Sequence, residues 1–130
     1  MKPYNTEKQI TLFSETDNHG TILRVNDAFC EVSKYSRDEL IGKSHNIIRH
    51  PDMPKRLFED LWRTIQSGDI FRGVIKNRAG DNSHYWVNAT IMPRTNQKNE
   101  IVKYVGVRHL IADDRTAEEL FDFQCRRFKL

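Results

Sequence analysis

The stretch after Gly68 constrains this chain more than any other. Three runs rich in β-formers, "IFRGVIKN" (70–77), "HYWVNATIMP" (84–93) and "IVKYVGVRHLI" (101–111), are separated only by the loops "RAGDNS" and "TNQKNE". Loops of that size and composition join antiparallel neighbours. A three-strand meander is therefore expected, and the rest of the chain must pack against it.

Upstream, "ITLFSETD" (10–17) and "TILRVN" (21–26) flank the turn "NHG" and read as a β-hairpin. Alternation in the second run directs Ile22 and Arg24 one way, and Leu23 and Val25 the other. The period then changes. Ala28, Phe29, Val32 and Tyr35 fall at helical spacing, with Asn26 or Asp27 as the cap. Ser36 and Glu39 form a capping box for one short helical turn that Gly42 stops.

A longer amphipathic helix begins with Pro54 at its first position. Leu57, Phe58, Leu61, Trp62 and Ile65 make its apolar stripe, and Ser67-Gly68 ends it. This order predicts an α+β fold, an antiparallel sheet with helices packed on one face. Residues 1–9 are expected to be a flexible arm and 10–112 the folded domain. In 113–130, Thr116 and Glu119 form a second capping box, and Leu120, Phe121, Gln124 and Phe128 recur at helical spacing. That helix either folds back on the domain or carries the connection to an output or partner domain.

Composition narrows the function classes. With 21 basic and 18 acidic residues the net charge is only +3, and acidic residues interrupt every basic cluster, so no nucleic-acid partner is expected. No apolar run is long enough to span a bilayer, and no secretory or lipidation signal appears. A cytoplasmic domain without direct membrane contact is the expectation. Cys30 and Cys125 stand far apart with no metal-ligand spacing, and read as small buried apolar residues in a reducing compartment. There is no G-x-G-x-x-G loop after a strand, no P-loop and no nucleophile elbow, so an enzyme is not expected.

Four stretches together, "VNDAFCEVSKYSRDELIGK", "RHPDMP", "FEDLW" and "VIKNRAGDNSHYWVNA", resemble a PAS domain. More narrowly, they are similar to the FAD-binding PAS sensor of the bacterial aerotaxis receptor family. The resemblance covers residues 10–111. It implies a five-stranded antiparallel sheet curved over short helices, with FAD held between them. It also implies a sensory role, in which redox state or oxygen is read and passed to a downstream signalling domain or partner protein, with a homodimer among the arrangements open to it. The same resemblance makes Arg49, His50 and Asp52 important for FAD binding. Two departures stand out. Phe71 occupies a position in "DIFRG" where family members often have Trp, and the hairpin "RAGDNSHYW" differs in detail.

The residues can be weighed beside that resemblance. A flavin needs an apolar slot, aromatic faces and a few placed polar groups. Arg49 carries a planar fork able to bind a pyrophosphate or stack on a base. His50 can donate or accept, and Asp52 can fix its tautomer, hold Arg49, or simply close a local ion pair at the turn. Asn77 sits in a strand near apolar Val74 and Ile75, where a buried amide without partners is costly, so a ligand edge is a natural partner. Trp62 and its stripe neighbour Phe58 either face a ring or pack the core. Asn26 is either a helix cap or a ligand contact. Of Tyr85 and Trp86, only one can face a pocket. Two further readings remain open: an interaction or dimerisation module with an empty or different small-ligand pocket, and a haem sensor using His45 or His50.

Overall fold

The computed structural model describes residues 9–128. The expected N-terminal arm, apart from its last residue, and the side chain of Phe128 lie outside the described residues.

The hairpin comprises β1 (Thr11–Asp17) and β2 (Ile22–Val25). The expected alternation in β2 does not hold. Ile22 and Val25 are both buried, while Leu23 and Arg24 are exposed. Ser14 lies opposite Val25, Glu15 opposite Arg24 and Thr16 opposite Ile22, so Leu23 is left out of the ladder. A bulge of this kind reverses side-chain parity, and here it sends both apolar ends of a four-residue strand into the core.

Three short helical pieces follow: α1 (Asp27–Ser33), α2 (Arg37–Leu40) and a 3-10 turn (His45–Ile48) that the sequence reading did not anticipate. Asn26 caps α1, and Ser36 with Glu39 forms the expected box on α2. The long helix α3 runs Lys55–Gln66. Pro54 stands one position earlier than expected, as the N-cap residue in extended conformation. Its side chain offers no capping group, so its contribution is a fixed φ leading into the helix.

The strands β3 (Phe71–Arg78), β4 (His84–Thr95) and β5 (Ile101–Ile111) form the meander. The five strands make one antiparallel sheet in the order β2-β1-β5-β4-β3. Leu12, Ile22, Phe29, Leu40, Leu57, Ile65 and Val87 are almost fully buried and form the centre of the core.

The last helix, α4 (Asp114–Phe128), starts earlier than the sequence reading had it. Asp113 rather than Thr116 is the cap, its carboxylate accepting from the Thr116 backbone N–H at 3.0 Å. The helix folds back on the sheet. Ala117 is fully buried, and Phe121 meets the Trp86 ring at 5.6 Å.

Candidate functional site

A cavity of about 670 Å³, its mouth included, opens between one face of the sheet and α3. Its walls are mainly apolar, from Ile48, Leu61, Ile65, Ile75 and Ile91, and a few polar groups converge in it. Beyond the mouth lies an outer groove that includes His50, Lys55 and Glu59. Asn46, Arg49, Phe58 and Trp62 line both spaces and form the passage between them.

The sequence-predicted residues divide into three groups. Arg49, Phe58, Trp62 and Asn77 line the cavity. The Arg49 guanidinium stacks on the Phe58 ring at 3.7 Å, and Arg49 forms an isolated antiparallel bridge with Asn77, which seats the "RHPDMP" loop on the edge of β3. Trp62 meets Tyr104 edge to face at 5.6 Å. His50 lines only the outer groove. Its Nδ1 accepts from the Asp52 backbone N–H at 3.0 Å, while burial and the nearby Lys76 charge lower its pKa and keep the ring neutral.

Two expected contacts need correction. Asp52 lines neither space; its carboxylate is largely exposed and pairs with Lys76 at 3.2 Å, not with Arg49. Asn26 is also outside the cavity, and its side chain bonds the backbone. Its Oδ1 accepts from the N–H groups of Phe13 and Phe29, and its Nδ2 donates to the carbonyl of Thr11.

The alternation at Tyr85 and Trp86 resolves in the same way. Tyr85 lies opposite Asn77, on the cavity side of the sheet, and Trp86 lies opposite Lys76, on the side covered by α4. Tyr85 Oη is buried without a hydrogen-bond partner, and burial pushes its phenol well up from the usual tyrosine range. Cys30 and Cys125 are free and only half-buried, so neither is the fully buried small residue that was expected.

Sequence reasoning missed the chemically most unusual group. Ser14 on β1, His45 on the 3-10 turn and Arg108 on β5 meet inside the cavity. Arg108 Nη1 donates to Ser14 Oγ at 2.9 Å, and Nη2 donates to His45 Nε2 at 3.0 Å. Arg108 is 5% exposed, and among the described residues no carboxylate pairs with it. Burial lowers its pKa to about 10, so it stays charged at neutral pH. The His45 ring, desolvated and beside that charge, has its pKa lowered to about 3.

A buried cation held only by neutral groups costs several kcal/mol that an anionic or electron-rich ligand offsets. The one available signal was strand parity, since Arg108 shares a face with Tyr104 and Gly106. The same cluster also bears on haem. His45 Nε2 is already engaged by Arg108 and Ser14, which leaves that nitrogen unsuited to iron. Among the described residues no group of three or more His, Cys, Asp or Glu could hold a metal ion, and no helix is long and apolar enough to cross a membrane.

Comparison with known proteins agrees with this architecture. The family described as "PAS fold" matches residues 22–108, and the chain belongs to it. Among curated relatives, it is 39% identical over 121 residues to the aerotaxis receptor of Escherichia coli (strain K12), covering 88% of this chain and 24% of that protein. It is 26% identical over 113 residues to a nitrogen fixation regulatory protein of Klebsiella pneumoniae, covering 87% of this chain and 23% of the relative. The chain thus spans about a quarter of the length of these relatives. Among solved structures, the dark state of the blue-light photoreceptor Aureochrome1 LOV superposes with a TM-score of 0.80 at 22% identity, over 89% of this chain and 86% of that one. A Light-Oxygen-Voltage domain studied with a flavin analogue superposes with a TM-score of 0.81 at 18% identity, over 90% and 88% of the two chains.

Proposed function

We propose that this chain is a flavin-binding PAS sensory domain that reads redox state or oxygen and passes a conformational signal to a downstream signalling domain. The observation that carries the reading is Arg108, a buried guanidinium with no counter-charge among the described residues, in a cavity whose other walls are mainly apolar and aromatic. The polar edge of an isoalloxazine ring supplies the acceptors that such a group lacks. When bound, a flavin supplies redox chemistry on a ring whose charge and hydrogen-bonding pattern change on reduction. The residues that would hold it are Arg108 and Asn77 in the chamber and Arg49 with Phe58 and Trp62 at the passage.

FAD rather than a mononucleotide is the proposed form. The chamber continues through Arg49 into an outer groove that holds Lys55 and the neutral ring of His50, where a pyrophosphate has the cations Arg49 and Lys55 and a second base has polar contacts. The relatives support the same reading, since an aerotaxis receptor is the protein matched at 39% identity. The domain acts by binding and signalling, not turnover, in the cytoplasm. Its surface helix α4 leaves Leu120 and Phe123 exposed, which suits contact with another domain or a second copy.

The visible spectrum of the purified protein is the direct test. A yellow protein with flavin bands, whose cofactor released by heat behaves as FAD, is the expected result. A colourless protein that takes up no added FAD, or a Soret band, overturns the proposal.

A further inference from the structure

The edge strand β3 carries Ile75 and Asn77 on its cavity face, and among the described residues its outer edge has no neighbouring strand. Side chains and loops take that place. Met53 Sδ lies 3.5 Å from the Lys76 N–H, and Arg49 bridges Asn77. At Val74 the partner comes from α4. Gln124 Oε1 accepts from the Val74 N–H at 2.7 Å, and Gln124 Nε2 donates to the Val74 carbonyl at 3.1 Å. One primary amide thereby makes the pair of bonds that an opposite residue makes in an antiparallel ladder. The preceding Gly73 permits this approach, since a Cβ there would lie 3.2 Å from Gln124 Oε1 and 3.0 Å from the Phe71 ring.

We propose that Gln124 is the latch through which the cavity controls the seat of α4: its amide reads the backbone position of Val74, which moves with Ile75 and Asn77. This rests on the reading of the cavity as the sensory site and identifies the point where its state leaves the domain. The latch is matched to the task because a cyclic amide pair demands both a distance and an angle. A small displacement of β3 breaks both bonds, whereas the Phe121–Trp86 ring contact tolerates sliding. The other face of α4, with Leu120 45% and Phe123 56% exposed, is not committed to the sheet. The His84–Asp114 pair at 2.9 Å fixes the first turn of the helix on β4, and the Gln124 amide supplies directional bonds to β3 in its later turns.

Hydrogen exchange of the 130-residue chain, with and without FAD as the probe, tests this. Gln124→Leu is expected to speed exchange of the Val74 amide about tenfold or more, the loss matching an ordinary hydrogen bond to a strand edge. In the wild type, FAD is expected to change exchange at Asn77, Val74 and along α4. In Gln124→Leu the change at Asn77 persists and the change along α4 disappears. A Val74 rate untouched by the substitution, or an α4 response that survives it, overturns the latch. Should FAD leave Asn77 unchanged, the flavin reading has failed separately, and a ligand-free arm decides. Ile75→Val trims the cavity face of β3 and is expected to speed α4 exchange in the wild type but add nothing in Gln124→Leu. Independent, multiplying effects of the two substitutions refute the coupling.

Discussion

Arg108 Nη2 lies 3.0 Å from His45 Nε2, and the direction of that hydrogen bond fixes the charge of both groups. A guanidinium can only donate, so His45 Nε2 is the acceptor and the imidazole is neutral. The pair is a buried cation facing a buried base, with Ser14 as the third member and, among the described residues, no acid to balance them. The state of this trio governs both the pH response and the ligand preference of the domain.

The first prediction concerns pH. His45 has its folded pKa depressed to about 3 from 6.5, chiefly by burial and then by Arg108. A base whose folded pKa is depressed favours the native state above its unfolded pKa. That contribution is lost as pH falls below about 6.5, at up to about 1.4 kcal/mol per pH unit. Chemical denaturation between pH 7 and pH 5, compared with His45→Gln, is expected to give a steeper loss in the wild type. Parallel slopes would mean that the ring does not behave as a buried neutral base.

Arg108 is predicted to matter for ligand far more than for folding. Arg108→Met removes a buried, uncompensated charge, and the ligand-free domain is expected to be unchanged or stabilised by up to about 2 kcal/mol. FAD affinity should fall at least about tenfold, the effect of one lost charge-assisted hydrogen bond. Gly106→Ala should weaken binding in the same direction, because a Cβ there would lie 2.6 Å from Arg108 Nη2 and displace the guanidinium. Denaturant melts and titration with FAD separate the two effects; a large loss of stability in Arg108→Met contradicts the prediction.

Asn26 gives the opposite pattern. Its side chain caps α1 and joins that helix to β1 through three hydrogen bonds. Asn26→Ala is expected to cost about 2 kcal/mol, the sum of a lost cap and a stranded backbone group. FAD affinity measured on the folded fraction should be unaltered. A selective loss of affinity with unchanged stability would return Asn26 to the ligand site.

For the passage and the chamber, Arg49→Ala and Asn77→Ala are each expected to lower FAD occupancy severalfold while circular dichroism stays native. Arg49 is the more tolerant position for stability, because its guanidinium lies over Phe58 at the passage to the outer groove rather than in the core. Full retention of cofactor by both variants would falsify the assignment of these residues to the site.

Much of the fold was legible from local signals. The meander of β3, β4 and β5, the Ser36–Glu39 box and the stripe of α3 each depend on residues within a turn or a strand of one another. Errors arose where a distant partner decided the outcome. The parity of β2 turned on a bulge set by pairing with β1. The cap of α4 moved to Asp113, whose carboxylate wins over Thr116 by holding both the backbone and the hydroxyl of that residue. Asn77 could be inferred as a buried amide from its apolar neighbours, whereas Asp52 and Asn26 looked equally suitable and were used elsewhere by Lys76 and the backbone.

By itself the sequence determined the strands and α-helices, the family resemblance and Arg49, Phe58 and Trp62 at the passage, because periodicity, capping and short motifs act over a few positions. Tertiary structure alone brought the charged trio into the cavity. Ser14, His45 and Arg108 lie on three separate elements, and no local pattern marks a strand arginine as inward-facing until the order β2-β1-β5-β4-β3 fixes which side of β5 meets α3. Burial then turns an ordinary arginine into an uncompensated charge. It is a property of the assembled environment and not of the residue.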